Sequence, residues 1–585
     1  LRQRHTGSSK INRETSPMAE IIKGSDLLHN DQLRGRLKAH IQADCLVGMP
    51  TETVYGLGGN SLSEKSLKNI FQMKNRPVSD PIISHVYDIN QAFDQLYHVN
   101  VFEKFIIYTL SNYFWPGPLS IIAKAKKEVP LILTAHTGFC AVRVPRNNIA
   151  MEIMKVSQVP IAAPSANKFQ HISPTTSAHV FKEFEKENIL IFDDGQCDIG
   201  IESTVLKLVK YRRAGGGKSV QLRGGDQTCE EIQPEELPQL EEVTTDEEYE
   251  KECLDEMEFL RRVTGIPASE TDVEVYDRLK GLFEAIVRGK GVEDEVSGMG
   301  GELPRMSEPS PLLEKILKYK NLYHYGIRIY RRGKYTKEQI EEALRSSPLL
   351  RDIQVDLYEK IKFENVAIFR GGEGGQVGAQ SKDALNGSLN GALDGSLNGA
   401  LKGSLNDALN GSLKGALNNC LSSCLTGNTA EEEAQNEVSP GLLLTHYSPV
   451  VPTYLLDCTP DGGDQSGSAS KNPISRICLA KCVLLDIGSS FECHQGDFLK
   501  YINISYEGVE IKEEQTKLVM RNFFLFLRQA EELAIEQQAV GILISIVNLK
   551  CVDEGSLSIF DRIFRAASGR VLQVAVPQAG PLRVL

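Results

Sequence analysis

The chain lacks any run approaching the ~18 consecutive apolar residues that a membrane-spanning helix needs. Its apolar stretches, such as "AVGILISIV" at 539–547, have strand length. No C-x-x-C occurs, and the closest cysteine pairs, Cys420/Cys424 and Cys478/Cys482, have three residues between them. A structural zinc site is therefore not expected. Twelve cysteines in 585 residues, with no secretory apolar segment, point to reduced thiols. Also missing are G-x-G-x-x-G opening a helix, G-x-x-x-x-G-K-[ST], H-E-x-x-H, and a Ser-His-Asp order with a nucleophile elbow. These absences argue against a dinucleotide fold, a P-loop, a zinc protease and a covalent nucleophile.

Outside one segment the chain also has almost no net charge. The formal value is −12, but Glu230 to Glu258 holds 14 acidic residues and one Lys, leaving about +1 elsewhere. Such a block reads as a solvated face or a flexible segment. It neither supports nor excludes a nucleic-acid surface elsewhere. A hydrophobic content of 41% and a charged content of 24% are those of a soluble globular protein. The length predicts roughly three or four domains.

Composition divides the chain into seven parts. Residues 1–25 open as basic, Ser/Thr-rich "LRQRHTGSSK", either a disordered tail or the remnant of a targeting segment. Residues 26–210 alternate short apolar runs with helical patterns, which predicts an α/β unit. Its expected strands are 45–49, 81–86, 119–123, 141–145, 160–165, 189–193 and 204–209. "SEKSLKNIFQM" and "SPTTSAHVFKEF" read as helices with hydroxyl caps. Residues 211–325 form an acidic insertion. Residues 326–370 return to the α/β unit through "YGIRIYRRGKYTKEQIEEAL", a strand, a turn and a Thr-capped helix. Residues 371–438 are a low-complexity linker, with nine tetrads of the "ALNG SLNG" type at 384–419. A turn-former at nearly every fourth place defeats a stable helix. Residues 439–450 hold "SPGLLLTHYSP", and 451–585 form a second α/β unit. There "RICLA", "VLLDIG", "VGILISIV" and "VLQVAV" read as strands, and 517–537 and 556–568 as helices.

The residues that carry chemistry sit at strand ends. "PTETVYGLGG" at 50–59 reads as a Gly-rich turn after a strand, either a phosphate cradle or a tight turn. "KNRPVSDPIISH" puts Lys74 and Arg76 on one Pro-stiffened turn, an arrangement that suits a polyphosphate or ordinary surface charge. His85 ends the next strand. Arg143 stands in the apolar strand "AVRVP", where a charge needs either an internal carboxylate or a ligand anion. "APSANKFQHISP" offers Ser165, Asn167 and Ser173 ahead of a helix, as phosphate ligands or as a capping loop. "GIESTV" adds Ser203 with Glu202 beside it. Cations and small polar groups position an anionic nucleotide and a second small substrate, with rate arising from proximity and electrostatics.

"PTETVYGLGGN", "KNRPVSDPIISH", "WPGPLSII", "AVRVP", "APSANKFQHISPT" and "GIESTVLKL" occur in the order and spacing of the YrdC-like family, which this chain resembles. "SPGLLLTHYSP" and "GSLSIFDRIFRAASGRVL" are similar to the linker and the C-terminal domain of its long, two-domain form. The resemblance covers most of 30–210, 326–350 and 439–585. It implies a YrdC-like mixed-sheet α/β catalytic domain and a smaller Rossmann-like α/β C-terminal domain, joined by a long linker. It also implies a nucleotidyltransferase that converts L-threonine, bicarbonate and ATP, with Mg2+, to threonylcarbamoyl-AMP and diphosphate. A separate transferase would use that product for N6-threonylcarbamoyladenosine at tRNA position 37.

Carried over by resemblance, Thr53, His85, Arg143, Ala163 and Ser203 hold threonine, with Arg143 on its carboxylate. Lys74, Arg76, Asp80, Ser165, Asn167, Ser173, Arg331 and Tyr447 surround ATP, and Lys74 and Arg76 are the catalytic pair. Asp80 stands where the family has Asn, and Phe139 where it often has Thr. Arg331 is preferred to Arg223 as the later ATP-side arginine, because a Thr-capped helix follows its turn. No protein-bound metal is implied. Tyr55 and the glycines of the opening motif would then shape the floor of the threonine pocket. The expected location is cytoplasmic, or an organelle if the N-terminus is the end of a transit peptide. The competing readings are a non-catalytic module that binds double-stranded RNA or tRNA, and a hydrogenase-maturation carbamoyltransferase of the same fold. The second should carry zinc-finger cysteines and an acylphosphatase domain, which this chain lacks.

Overall fold

A computed structural model describes residues 18–212, 256–287, 311–358, 439, 446–460, 477–510, 512–546, 554–576 and 582–584. Residues 1–17, Arg223, most of the acidic run and the tetrad repeat lie outside the described residues, but the end of the expected 1–25 tail is ordered, since Glu20–Lys23 pairs as a strand with Leu190–Asp193 and a helix begins at Gly24. The main sheet contains β1 Glu20–Lys23, β2 Leu46–Met49, β3 Gly56–Asn60, β4 Ile83–His85, β5 Leu119–Lys124, β6 Phe139–Arg143, β7 Ile161–Ala162, β8 Ile189–Asp193, β9 Thr204–Arg212, β10 Tyr323–Arg331 and β11 Gln354–Leu357. Their order is β1-β8-β2-β3-β7-β4-β6-β5-β9-β10-β11, with parallel and antiparallel pairs mixed. This is the α/β class with a mixed sheet that the sequence predicts.

The Gly-rich stretch departs from expectation, because Gly56–Asn60 is a strand rather than a turn. Its glycines are needed where neighbours press on the backbone. A Cβ on Gly58 would lie 2.9 Å from Ile161 Cγ2, and one on Gly59 would lie 2.5 Å from Ser66 Oγ. Glycine inside a strand permits that approach at the cost of strand propensity.

Helices α1 Gly24–Leu27, α2 Asp31–Gln42, α3 Glu64–Lys74, α4 Ile89–Gln95, α5 Val101–Phe114, α6 Asn148–Ser157 and α7 Ser177–Phe184 connect the strands. Ser63 caps α3 by accepting from the Ser66 amide, and Thr176 caps α7 by accepting from the His179 amide. The interval read as an acidic insertion contributes α8 Glu256–Thr264, α9 Asp272–Val287 and α10 Pro311–Leu322. They complete the core around α5: Phe283 packs edge-on against Phe105, and Glu256 pairs with buried Lys104 at 2.8 Å. The apolar spacing of Val275, Leu279 and Phe283 puts them on one face of α9 and into that core. Helix α11, Lys337–Arg345, then starts at a capping box of Thr336 and Gln339.

The second sheet holds β12 Thr453–Pro460, β13 Cys482–Ile487, β14 Lys500–Ile504, β15 Gly541–Ser545, β16 Val571–Val576 and β17 Arg583–Val584. The order is β14-β13-β15-β12-β16-β17, parallel except for β17. "RICLA" is not a strand: a single 3-10 turn, Leu479–Lys481, precedes β13. Cys482 pairs with Gly541, the first residue of β15, so earlier residues have no partner strand there. Helices α12 Lys512–Glu536 and α13 Glu554–Ala566 cover one face. Val519, Phe523, Leu527 and Ala530 bury one stripe of α12, each large side chain contributing about 1.5–3 kcal/mol. Ile172, Ile199, Ile201 and Val54 of the first unit join the same apolar cluster as Phe524, Phe560 and Ile563 of the second. No helix among the described residues is long and apolar enough to cross a membrane.

Candidate active site

The strand ends and the turn joining β2 to β3 surround one cavity of about 50 Å³. Of the expected residues, Thr53, His85, Arg143, Ala163, Ser203, Arg76, Ser165, Arg331 and Tyr447 line it. Lys74, Asp80, Asn167 and Ser173 stand behind that lining and hold it in place.

On one side, Arg143 ends β6 and is 3% exposed. Its Nη1 donates to Thr53 Oγ1 at 2.9 Å and its Nε to the Gly117 carbonyl at 3.2 Å. Its Nη2 lies 2.7 Å from Glu52 Oε1, out of line for a hydrogen bond and so an ion pair. The buried charge thus has an internal carboxylate. Thr51 Oγ1 lies 2.9 Å from Thr53 Oγ1 and donates to the Val54 carbonyl, fixing this turn. Tyr55 is fully buried and donates to the Gly195 carbonyl, so Gly56 rather than Tyr55 reaches the cavity.

His85 sits opposite Arg143 on the parallel pair β4–β6. Its Nδ1 is 3.3 Å from the Ile161 carbonyl, which only accepts, so Nδ1 carries the proton. Burial, helped by Arg143, pushes its pKa down to about 3. The neutral ring keeps a lone pair on Nε2. Ser203 Oγ is 2.8 Å from Ser120 Oγ and accepts from Arg331 Nη2 at 3.1 Å.

On the other side, Arg76 donates through Nη2 to the Pro81 carbonyl at 2.8 Å and pairs with Asp80 at 2.9 Å. Asp80 therefore acts on Arg76. Lys74 ends α3 and donates to the Ser165 and Asn167 carbonyls, with the first at 2.5 Å. Its ammonium ties down the Ser-x-Asn loop, and burial followed by Arg76 holds its pKa well below the ordinary lysine range. Asn167 Nδ2 donates to the Lys168 and His171 carbonyls, leaving Oδ1 buried and unpartnered. Ser173 Oγ donates to Glu202 Oε1 at 2.8 Å.

Arg331 follows an irregularity in the β9–β10 register, a device that re-aims a strand side chain. Its Nε donates to the Ser203 carbonyl at 3.0 Å. Among the described residues it is the lining guanidinium without a carboxylate partner, since Arg76 has Asp80 and Arg143 has Glu52. The linker closes the cavity: Tyr447 is 1% exposed and packs 5.2 Å from Phe524, with His446 at 4.0 Å. Burial, then the positive charge of Arg76, keeps His446 neutral.

Glu52, Thr51, His446 and the role of Glu202 escaped the sequence reading. A charge in an apolar strand demands a carboxylate, and Glu52 lies next to Thr53, so that signal was present. The arrangement suits a small zwitterion beside an anion. It offers donors at both ends, a neutral acceptor at His85 and no assembled nucleophile.

The family model for Sua5, YciO and YrdC, described as telomere recombination, matches residues 39–215. The model of the threonylcarbamoyl-AMP synthase C-terminal domain matches residues 413–568. The threonylcarbamoyl-AMP synthase of Pyrococcus abyssi is 40% identical over 191 residues, 32% of this chain and 52% of that protein. That of Buchnera aphidicola (subsp. Acyrthosiphon pisum) is 30% identical over 151 residues, 25% of this chain and 81% of its own length. The crystal structure of P. abyssi Sua5 complexed with L-threonine is 19% identical, covering 95% of this chain and 98% of that one at a TM-score of 0.47. The chain spans about half the length of the first curated relatives it matches, at 52%, 50% and 58%. With the opening Thr-x-Thr turn, the Lys-x-Arg turn and the Ser-x-Asn loop converging on one cavity, the chain belongs to the Sua5/YciO/YrdC family.

Proposed function

We propose that this protein is an L-threonylcarbamoyladenylate synthase. Bicarbonate loses its hydroxyl and threonine's amine bonds to the carbon, the amine proton and that hydroxide leaving as water, to give a carbamate whose oxygen attacks the α-phosphorus of ATP. The bond to the β-phosphate oxygen breaks, and diphosphate leaves with its electron pair. The observation that carries the reading is one cavity with two chemically distinct halves. Thr53, His85, Arg143, Ala163 and Ser203 line one side, and Arg76, Ser165 and Arg331, which has no carboxylate ion pair among the described residues, line the other. Names shared by the relatives support the same reading.

In this account Arg143, pre-set by Glu52, grips the threonine carboxylate, and neutral His85 accepts a hydrogen bond. Arg331 and Arg76 stabilise charge on the leaving phosphates, and Lys74 and Asn167 hold the loop that presents Ser165. Among the described residues no group of three or more His, Cys, Asp or Glu forms a metal cage. Mg2+ enters this account as part of the substrate, MgATP. The product is a reactive mixed anhydride, and a tRNA threonylcarbamoyltransferase would consume it. A purely RNA-binding role would not call for Thr53, His85 and Arg143 to converge on one cavity. The test is diphosphate release from MgATP by purified protein. It should require both threonine and bicarbonate, and release that persists without threonine would overturn the proposal.

A further inference from the structure

We infer that Arg562, on α13 of the second unit, is a positioning residue for the nucleotide half of the cavity, holding Glu202 away from Arg331. The identity of the ligand as a nucleoside triphosphate rests on the synthase reading; the role of Arg562 rests on geometry.

Arg562 is 0% exposed and heads the fully buried side chains by volume. Its Nε donates to Glu202 Oε2 at 3.3 Å, and its Nη1 donates to the Arg332 carbonyl at 2.6 Å. Ser558 on the same helix accepts from Nη1 at 3.1 Å through its carbonyl, which fixes the fork. One side chain of the second unit thus clamps the two segments that carry Glu202 and Arg331. They are already in close contact, since a Cβ on Gly333 would lie 2.3 Å from the Thr204 nitrogen and 2.9 Å from the Glu202 carbonyl. Arg332 and Glu554 add a second, looser tie at 3.6 Å.

Glu202 lines the cavity beside Arg331 and accepts from Ser173. A buried carboxylate that loses its guanidinium partner must find another or remain uncompensated. Arg331, one residue along the wall and without a carboxylate of its own, is available. A Glu202–Arg331 pair would take the phosphate-facing charge out of use and release Ser173. The threonine half has anchors apart from this tie: Arg143 is held by Glu52, and Ser203, which accepts from Arg331, is also held by Ser120. Loss of Arg562 therefore weakens ATP selectively. Restoring neutrality by also removing the Glu202 charge returns Arg331 to the phosphates.

The experiment uses the full chain in four forms: wild type, R562K, R562M and the double variant R562M/E202Q. ATP and threonine affinities are measured by calorimetry, alongside the KM values for diphosphate release. Expected are a tenfold or larger rise in ATP Kd and KM for R562M and a smaller rise for R562K. Threonine Kd should stay within twofold, and the double variant should recover most of the ATP affinity. A merely structural arginine would weaken both ligands together, and E202Q would not rescue it; that result overturns the inference. If R562M does not fold, R562K decides, and unchanged ATP affinity in R562K overturns it equally. Wild type that binds ATP but shows no threonine-dependent release removes the synthase reading, while the ATP affinities still judge Arg562.

Discussion

Arg143 and Glu52 form an ion pair at 2.7 Å with side chains 4% and 2% exposed, and the same guanidinium donates to Thr53. Removing one partner of a buried pair leaves the other charge uncompensated and costs about 3–5 kcal/mol. Glu52→Ala should lower stability by that order in urea unfolding. In calorimetry at low temperature, where the variant remains folded, it should weaken threonine more than ATP. Equal weakening of both ligands would show that Glu52 does not set the threonine half.

Buried His85 gives a pH signature. Its folded pKa, pushed down to about 3, lies below the ordinary histidine value near 6.5. The unfolded chain therefore binds the extra proton first, and stability falls as pH drops from about 6.5 toward 3. His179, pushed down to about 4 by burial and Arg528, adds to the same loss. A His85→Gln variant should show a shallower decline in unfolding free energy between pH 6.5 and 4.5. The difference should approach about 1.4 kcal/mol per pH unit at most.

Lys104 and Glu256 tie the interval read as an insertion to helix α5, with side chains 8% and 4% exposed. Glu256→Ala should destabilise by roughly 3–5 kcal/mol. Combining it with Lys104→Met should recover a large part of that loss in a double-mutant cycle. Additive losses would indicate that the pair is uncoupled and that α8 docks through its apolar face alone.

Tyr447 seals the cavity against Phe524. Tyr447→Ala should raise ATP KM several-fold and leave threonine Kd nearly unchanged. Because Tyr447 shares its apolar cluster with Phe523 and Phe524, truncation should also cost about 3–5 kcal/mol of stability.

The parts of this molecule legible in the sequence are those whose causes are local. Ser63, Thr176 and Thr336 announce helix starts because a cap needs only a hydroxyl and a nearby amide. Arg143 announces a partner because charge in an apolar strand is costly. The strand Gly56–Asn60 was not legible, since its glycines answer to Ile161 and Ser66, which press on it from other elements. "RICLA" has strand composition, yet its fate depends on where β15 begins. Lys74 looked like a phosphate ligand, but its ammonium turns to the Ser165 and Asn167 carbonyls. Arg562 pairs with a carboxylate 360 positions away, a distance that no local pattern encodes.

The central claim is that one cavity joins threonine, bicarbonate and ATP. Incubating the protein with MgATP, threonine and 13C-bicarbonate, followed by mass spectrometry of the nucleotides, tests it most directly. The account predicts an adenylate carrying one 13C and one threonine, absent when either threonine or Arg143 is removed. Formation of AMP or ADP with no labelled adenylate, at any threonine concentration, would contradict it.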